Sequence, residues 1–106
     1  LLSAWDLLIK CHYENGSLNQ CTNCAITLLK ADPSRIEPLK YLLLAFKKDE
    51  ERQLNHGASS SPKAAAPSQV KAFLGNFYDF QCQEQLNFVR MAAREAGYTG
   101  LLEEIG

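Results

Sequence analysis

A set of four residues near the start of the chain recurs after an interval of about 34 residues, the length of a helix–turn–helix unit. Trp5, Leu8, Ile9 and His12 are answered by Leu39, Leu42, Leu43 and Phe46, with Asp32-Pro33 between the two sets. Within each set the spacing is i, i+3, i+4 and i+7, which puts the side chains on one stripe of an α-helix. A hairpin of two helices cannot bury its own apolar face, so units of this length stack on one another. The echo restricts the chain to antiparallel helices. It also predicts a surface that holds a peptide or another protein.

The turn residues agree with this. Asn15-Gly16 supplies the backbone freedom of a tight turn. Ser17 stands three residues before Gln20, the spacing of a capping box. A second helix is therefore expected from about Leu18, with a stripe of Leu18, Cys21, Cys24, Ala25, Leu28 and Leu29, ending before Asp32-Pro33-Ser34. Two helices joined so closely pack antiparallel. Pro38 suits the first position of a third helix, where its missing amide costs nothing. That helix is expected to reach about Lys48. With Leu39, Leu42, Leu43, Leu44, Ala45 and Phe46 it is the most apolar stretch of the chain, and it should be covered on more than one side.

Residues 56–67 have the Ser/Ala/Pro composition of a loop or flexible tether. After it, Ser68 can cap a segment whose first stripe is Val70, Phe73, Leu74 and Phe77 and whose continuing face is Tyr78, Cys82, Leu86, Val89 and Ala93. One long helix and two shorter ones both fit that pattern. Gly97-Tyr98-Thr99 stops it, and Thr99 can cap a final turn. The expected architecture is all-α, with five or six helices in antiparallel hairpins forming a single domain over 1–106.

With 106 residues, 46% of them hydrophobic, the chain can close one core and not two. A formal net charge of -1 gives no positive field to draw nucleic acid or an anionic membrane. No apolar run approaches the roughly 18 residues of a membrane span, and no signal peptide is visible. Cys11, Cys21, Cys24 and Cys82 fall inside apolar-periodic segments, where they read as small hydrophobes rather than a disulfide scaffold. The chain therefore reads as soluble, cytoplasmic or nuclear. Its first residue is not Met and Leu101–Ile105 looks like the opening of another helix, which is compatible with a piece of a larger protein.

Residues 1–46 resemble a tetratricopeptide repeat. Trp5 and Leu8 match the paired apolar positions of that motif's first helix, Gly16 and Leu18 its turn, Cys21 its small second-helix residue, and Asp32-Pro33 its closing pair. The match restarts with Leu39, Leu42 and Phe46. It departs at Ile9 and Leu43, where the family prefers small residues, and a second unit would need Gly57 and Pro62 inside a helix. The resemblance implies a concave groove lined by the first helix of each unit. Mapped here, its ligand-contact candidates are Asp6, Lys10, Tyr13, Lys40, Leu44 and Lys47. Three lysines, a tyrosine and a leucine would suit a partner with acidic and apolar residues. The Lys and Asn clamp that some members close on a terminal carboxylate has no counterpart at Asp6, Lys10 and Leu44.

Other chemistry is weighed against plainer readings. Cys21-Thr-Asn-Cys24 has redox or zinc spacing, but the same spacing puts both sulfurs on the buried stripe and no second pair completes four ligands. His12 and His56 lack sequence partners for general-base work. Asn15-Gly16-Ser17 is formally a glycosylation acceptor and is also the turn the hairpin requires. Phe73, Phe77, Tyr78 and Phe80 exceed what one stripe can bury, so they form a second candidate partner surface beside their core role. No catalytic, cofactor or metal residue is nominated. The expectation is a non-catalytic protein-interaction or scaffold module; its rivals are a six-helix adaptor bundle of the death-fold kind and a small thiol redox or metal protein.

Overall fold

The computed structural model describes residues 2–55 and 67–105. They form α1 (Leu2–Glu14), α2 (Leu18–Ala31), α3 (Ile36–Asn55), α4 (Pro67–Leu74), α5 (Gln83–Ala96) and α6 (Thr99–Ile105), with no strand among them. The fold is all-α, as the sequence predicts. The tether expected at 56–67 lies outside the described residues, apart from Pro67, which opens α4.

The first hairpin turns at Gly16, whose φ of 81° is left-handed backbone that glycine adopts without steric cost. Main-chain bonds close the turn, notably Ser17 N–H to His12 O at 2.9 Å. The capping box does not form: Ser17 flanks α2 without a side-chain capping bond. At the other end Asp32 leaves the helix in extended conformation, its amide still donating to Leu28 O. The Asp32 carboxylate then accepts the Ser34 amide and hydroxyl, an Asx turn that redirects the chain. Pro38 is the third residue of α3 rather than the first, still within the turn whose amides have no helical partner. Beyond Lys48 the helix continues to Asn55; Lys47 stands three and four residues before Glu50 and Glu51, and Lys48 three before Glu51, spacings at which opposite charges are neighbours on a helix.

The aromatic segment is two helices. α4 ends as the Gly75 amide bonds Lys71 O and the Phe77 and Tyr78 amides both bond Leu74 O. Asp79 then accepts the Gln81 amide, and the Gln85 side chain reaches back to accept the Asp79 amide at 2.7 Å. α5 ends in a Schellman motif: Gly97 has φ 72°, its amide bonds Arg94 O, and the Tyr98 amide bonds Ala93 O. Thr99 is the first residue of α6, not a residue before it.

α1 packs on α2, and α3 lies against both; α5 covers another side of α3, and α6 bridges α5 and α4. Leu39, Leu42 and Leu43 are fully buried at the centre, with Leu29, Leu74, Val89 and Leu101 around them. One expectation about α1 is overturned. Ile9 is 1% exposed, but Trp5 is 39% and Leu8 42% exposed, so the stripe of Trp5, Leu8, Ile9 and His12 is not buried as one. The side it turns inward carries Ile9, Asp6 and Tyr13. Among the described residues no helix is long and apolar enough to cross a membrane.

Candidate functional site

The six groove candidates on α1 and α3 do not form one free surface. Asp6 is ion-paired with Arg35, which ties α1 to the turn before α3. Leu44 is half-buried against the core. A Cβ built on Gly97 would lie 3.2 Å from the Lys47 ammonium, which places that charge at the carboxyl end of α5, where the helix dipole favours it. These three are structural residues. Tyr13 and Lys40 do meet, through Tyr41: the Tyr13 and Tyr41 rings pack edge-on at 5.7 Å, Lys40 lies 5.7 Å from the Tyr41 centroid, and Lys48 lies 5.2 Å from that of Tyr13. Lys10 is exposed beyond this cluster. Tyr41 and Lys48 were not nominated by sequence, although they are neighbours of Lys40 and Lys47 by one residue.

The aromatic half gives a built cavity. Phe46, Phe73, Phe77, Tyr78 and Phe88 form a chain of rings, successive centroids being 6.1, 5.4, 6.5 and 5.8 Å apart, mostly edge-to-face or tilted. Tyr78 is only 5% exposed and its hydroxyl donates to Pro33 O at 2.8 Å, so little of its ring is open to a partner. It fixes the site instead. Burial, and then the Asp32 charge, hold its hydroxyl well above the usual tyrosine range, so it remains a donor at neutral pH.

Two neighbouring clefts share Pro33 and Phe77 in their walls. The first, about 410 Å³, continues over Asp32, Tyr78, Glu84, Gln85 and Phe88. The second, about 570 Å³, continues over Ile26, Leu29, Lys30, Phe73 and Asn76. Phe80 lies on an adjoining open surface with Asp79 and Gln81. The site is thus a groove between the end of the first hairpin and the α4–α5 turn, with aromatic and aliphatic walls. Of the second sequence-predicted surface, Phe73 and Phe77 line it, Phe80 borders it and Tyr78 braces it. Pro33, Lys30 and Glu84 were missed, because only the fold brings α2 beside the α4–α5 turn.

The thiol motif lies on the inner side of α2, with Cys21 buried and Cys24 half-buried. Cys21 is buried, and burial, followed by the neighbouring Cys24, pushes its thiol up to about 11. Without a metal such a group stays protonated at neutral pH, which makes it a weak nucleophile. Among the described residues no three His, Cys, Asp or Glu side chains stand together as a metal site.

No family model, curated protein or solved structure matches this chain.

Proposed function

We propose that the domain is a non-catalytic protein-interaction module that captures a segment of a partner protein in the groove around Pro33 and Phe77. The observation that supports this reading is that two neighbouring clefts share Pro33 and Phe77 in their walls, with Tyr78 bonded to Pro33 at one of them. Half-buried rings held by their neighbours lose little freedom on binding, which makes them effective anchors. The first hairpin is read as tetratricopeptide-like on the strength of α3 lying against both α1 and α2. Binding is proposed at the aromatic end of the domain rather than along Lys40 and Lys47. A cytoplasmic or nuclear setting accompanies the proposal, supported by four free cysteines.

The test is a quantitative pull-down comparing wild type with Phe77→Ala and with Lys10→Glu/Lys40→Glu, each checked for an unchanged helical signal. Loss of partner with Phe77→Ala and retention with the charge-reversed double variant is expected. The opposite pattern would move the site to the α1–α3 face.

A further inference from the structure

Resting on that reading, we infer that the segment taken by the groove carries a Lys or Arg next to an apolar side chain, the cation lodging between Asp32 and Glu84. Both carboxylates line the half of the groove walled by Phe77, Tyr78 and Phe88. Asp79 lies just outside it, bordering the same Phe77 and Tyr78. Arg35, whose charge acts on Asp32, has its guanidinium on Asp6. Lys30 lies in the other half, beside Ile26 and Phe73. The Tyr78 end therefore carries the two carboxylates, and the Phe73 end carries apolar walls with Lys30 at its edge.

The acidic end is suited to a cation in two further ways. Asp32 stays ionised, because the Ser34 hydroxyl and then the Ser34 amide hold its carboxyl below the usual range. Glu84 is exposed in the first turn of α5 and can swing towards a ligand. Aromatic faces beside the two carboxylates add cation–π attraction, which favours guanidinium most. An acidic segment would meet like charge there and be rejected. This reverses the acidic partner expected from the lysines of α1 and α3, of which Lys47 is held at the end of α5.

The experiment is selection of random twelve-residue peptides displayed on phage against the wild-type domain, after depletion on Phe77→Ala. Asn76→Trp, which crowds an exposed position of the groove wall, replaces that variant if it fails to fold. Peptides enriched in Lys or Arg beside Leu, Phe or Met are expected. One such synthetic peptide should bind Glu84→Lys at least roughly ten-fold more weakly, as loss of a charge-assisted contact implies. Its counterpart with Glu at the basic position should regain affinity for that variant. Groove-dependent peptides that are acidic or uncharged would overturn the inference and leave the interaction module standing. Absence of any groove-dependent peptide would overturn both. Dimerisation of the wild-type domain on concentration, abolished by Phe77→Ala, would put a second copy in the groove and also overturn the inference.

Discussion

The Tyr78 hydroxyl donates to the Pro33 carbonyl at 2.8 Å across 45 residues of sequence, fastening the α2–α3 turn to the α4–α5 turn. The bond joins two parts of the chain whose helices otherwise meet mainly through α3. Tyr78→Phe keeps the ring contacts with Phe77 and Phe88 and removes only the donor. The expected cost is about 0.5–1.5 kcal/mol, read from urea denaturation, since Pro33 is exposed and water can take the place of the hydroxyl. A loss above about 3 kcal/mol would mean that water does not replace the hydroxyl at Pro33 and that the bond is worth more than an exposed one.

Alkaline pH should loosen the fold before neutral or mildly acidic pH does. Tyr98 is pushed up to about 12 by burial, then by the Glu50 charge and the hydrogen bond to Glu50. Cys21 is pushed up to about 11, and Tyr78 is raised by burial and Asp32. In each case the folded chain holds the proton more tightly than the unfolded one. The stability so gained is complete below the unfolded value, about 9 for the thiol and about 10 for the phenols, and is lost as pH climbs through the folded values. Melting temperature should hold steady from pH 7 to about 8.5 and fall above about 9. In Tyr98→Phe the fall above pH 10 should be shallower; a wild-type curve flat to pH 12 would contradict the burial of these groups.

Ile9→Ala should destabilise the domain more than Trp5→Ala, although tryptophan is the larger residue. Ile9 is 1% exposed and its removal opens a cavity worth about 2–5 kcal/mol. Trp5, at 39% exposed, should lose only about 1–2 kcal/mol, because part of its ring is already in water. Chemical denaturation of the two variants gives the ranking. A reversed order would put Trp5 rather than Ile9 in the core.

Gly97→Ala should cost about 1–2 kcal/mol, since its φ of 72° puts any Cβ in the unfavourable left-handed region. The Lys47 ammonium 3.2 Å from that Cβ can move aside, so backbone strain sets the magnitude. Gly97→Asn should cost less, because asparagine tolerates this conformation. Equal melting temperatures for all three proteins would show that the Schellman motif contributes nothing to stability.

Much of this fold is legible in local sequence. Asn15-Gly16, Asp32-Pro33 and Gly97 mark turns through backbone chemistry that needs no tertiary context, and the α2 stripe of Leu18, Cys21, Ala25, Leu28 and Leu29 is buried as its spacing requires. The orientation of α1 was not legible, because Trp5, Leu7 and Leu8 give it apolar residues outside the side that carries Ile9 and packing chooses among them. The division of 67–96 was hidden for a different reason. Residues 75–82 contain no proline and their turn is closed by the side chains of Asp79 and Gln85. As for the site, Phe73 and Phe77 stood out as surplus aromatics, but the groove exists only because Pro33 meets Tyr78 across the fold.

Photo-crosslinking from the groove wall tests the binding site most directly. Benzoylphenylalanine is placed at Asn76, exposed beside Phe77, and in a parallel protein at Lys10, exposed on α1. Irradiation in cell extract should give one discrete partner adduct from position 76, lost when Phe77→Ala is added, and none from position 10. An adduct from position 10 with none from position 76 would contradict the groove and return the site to the α1–α3 face.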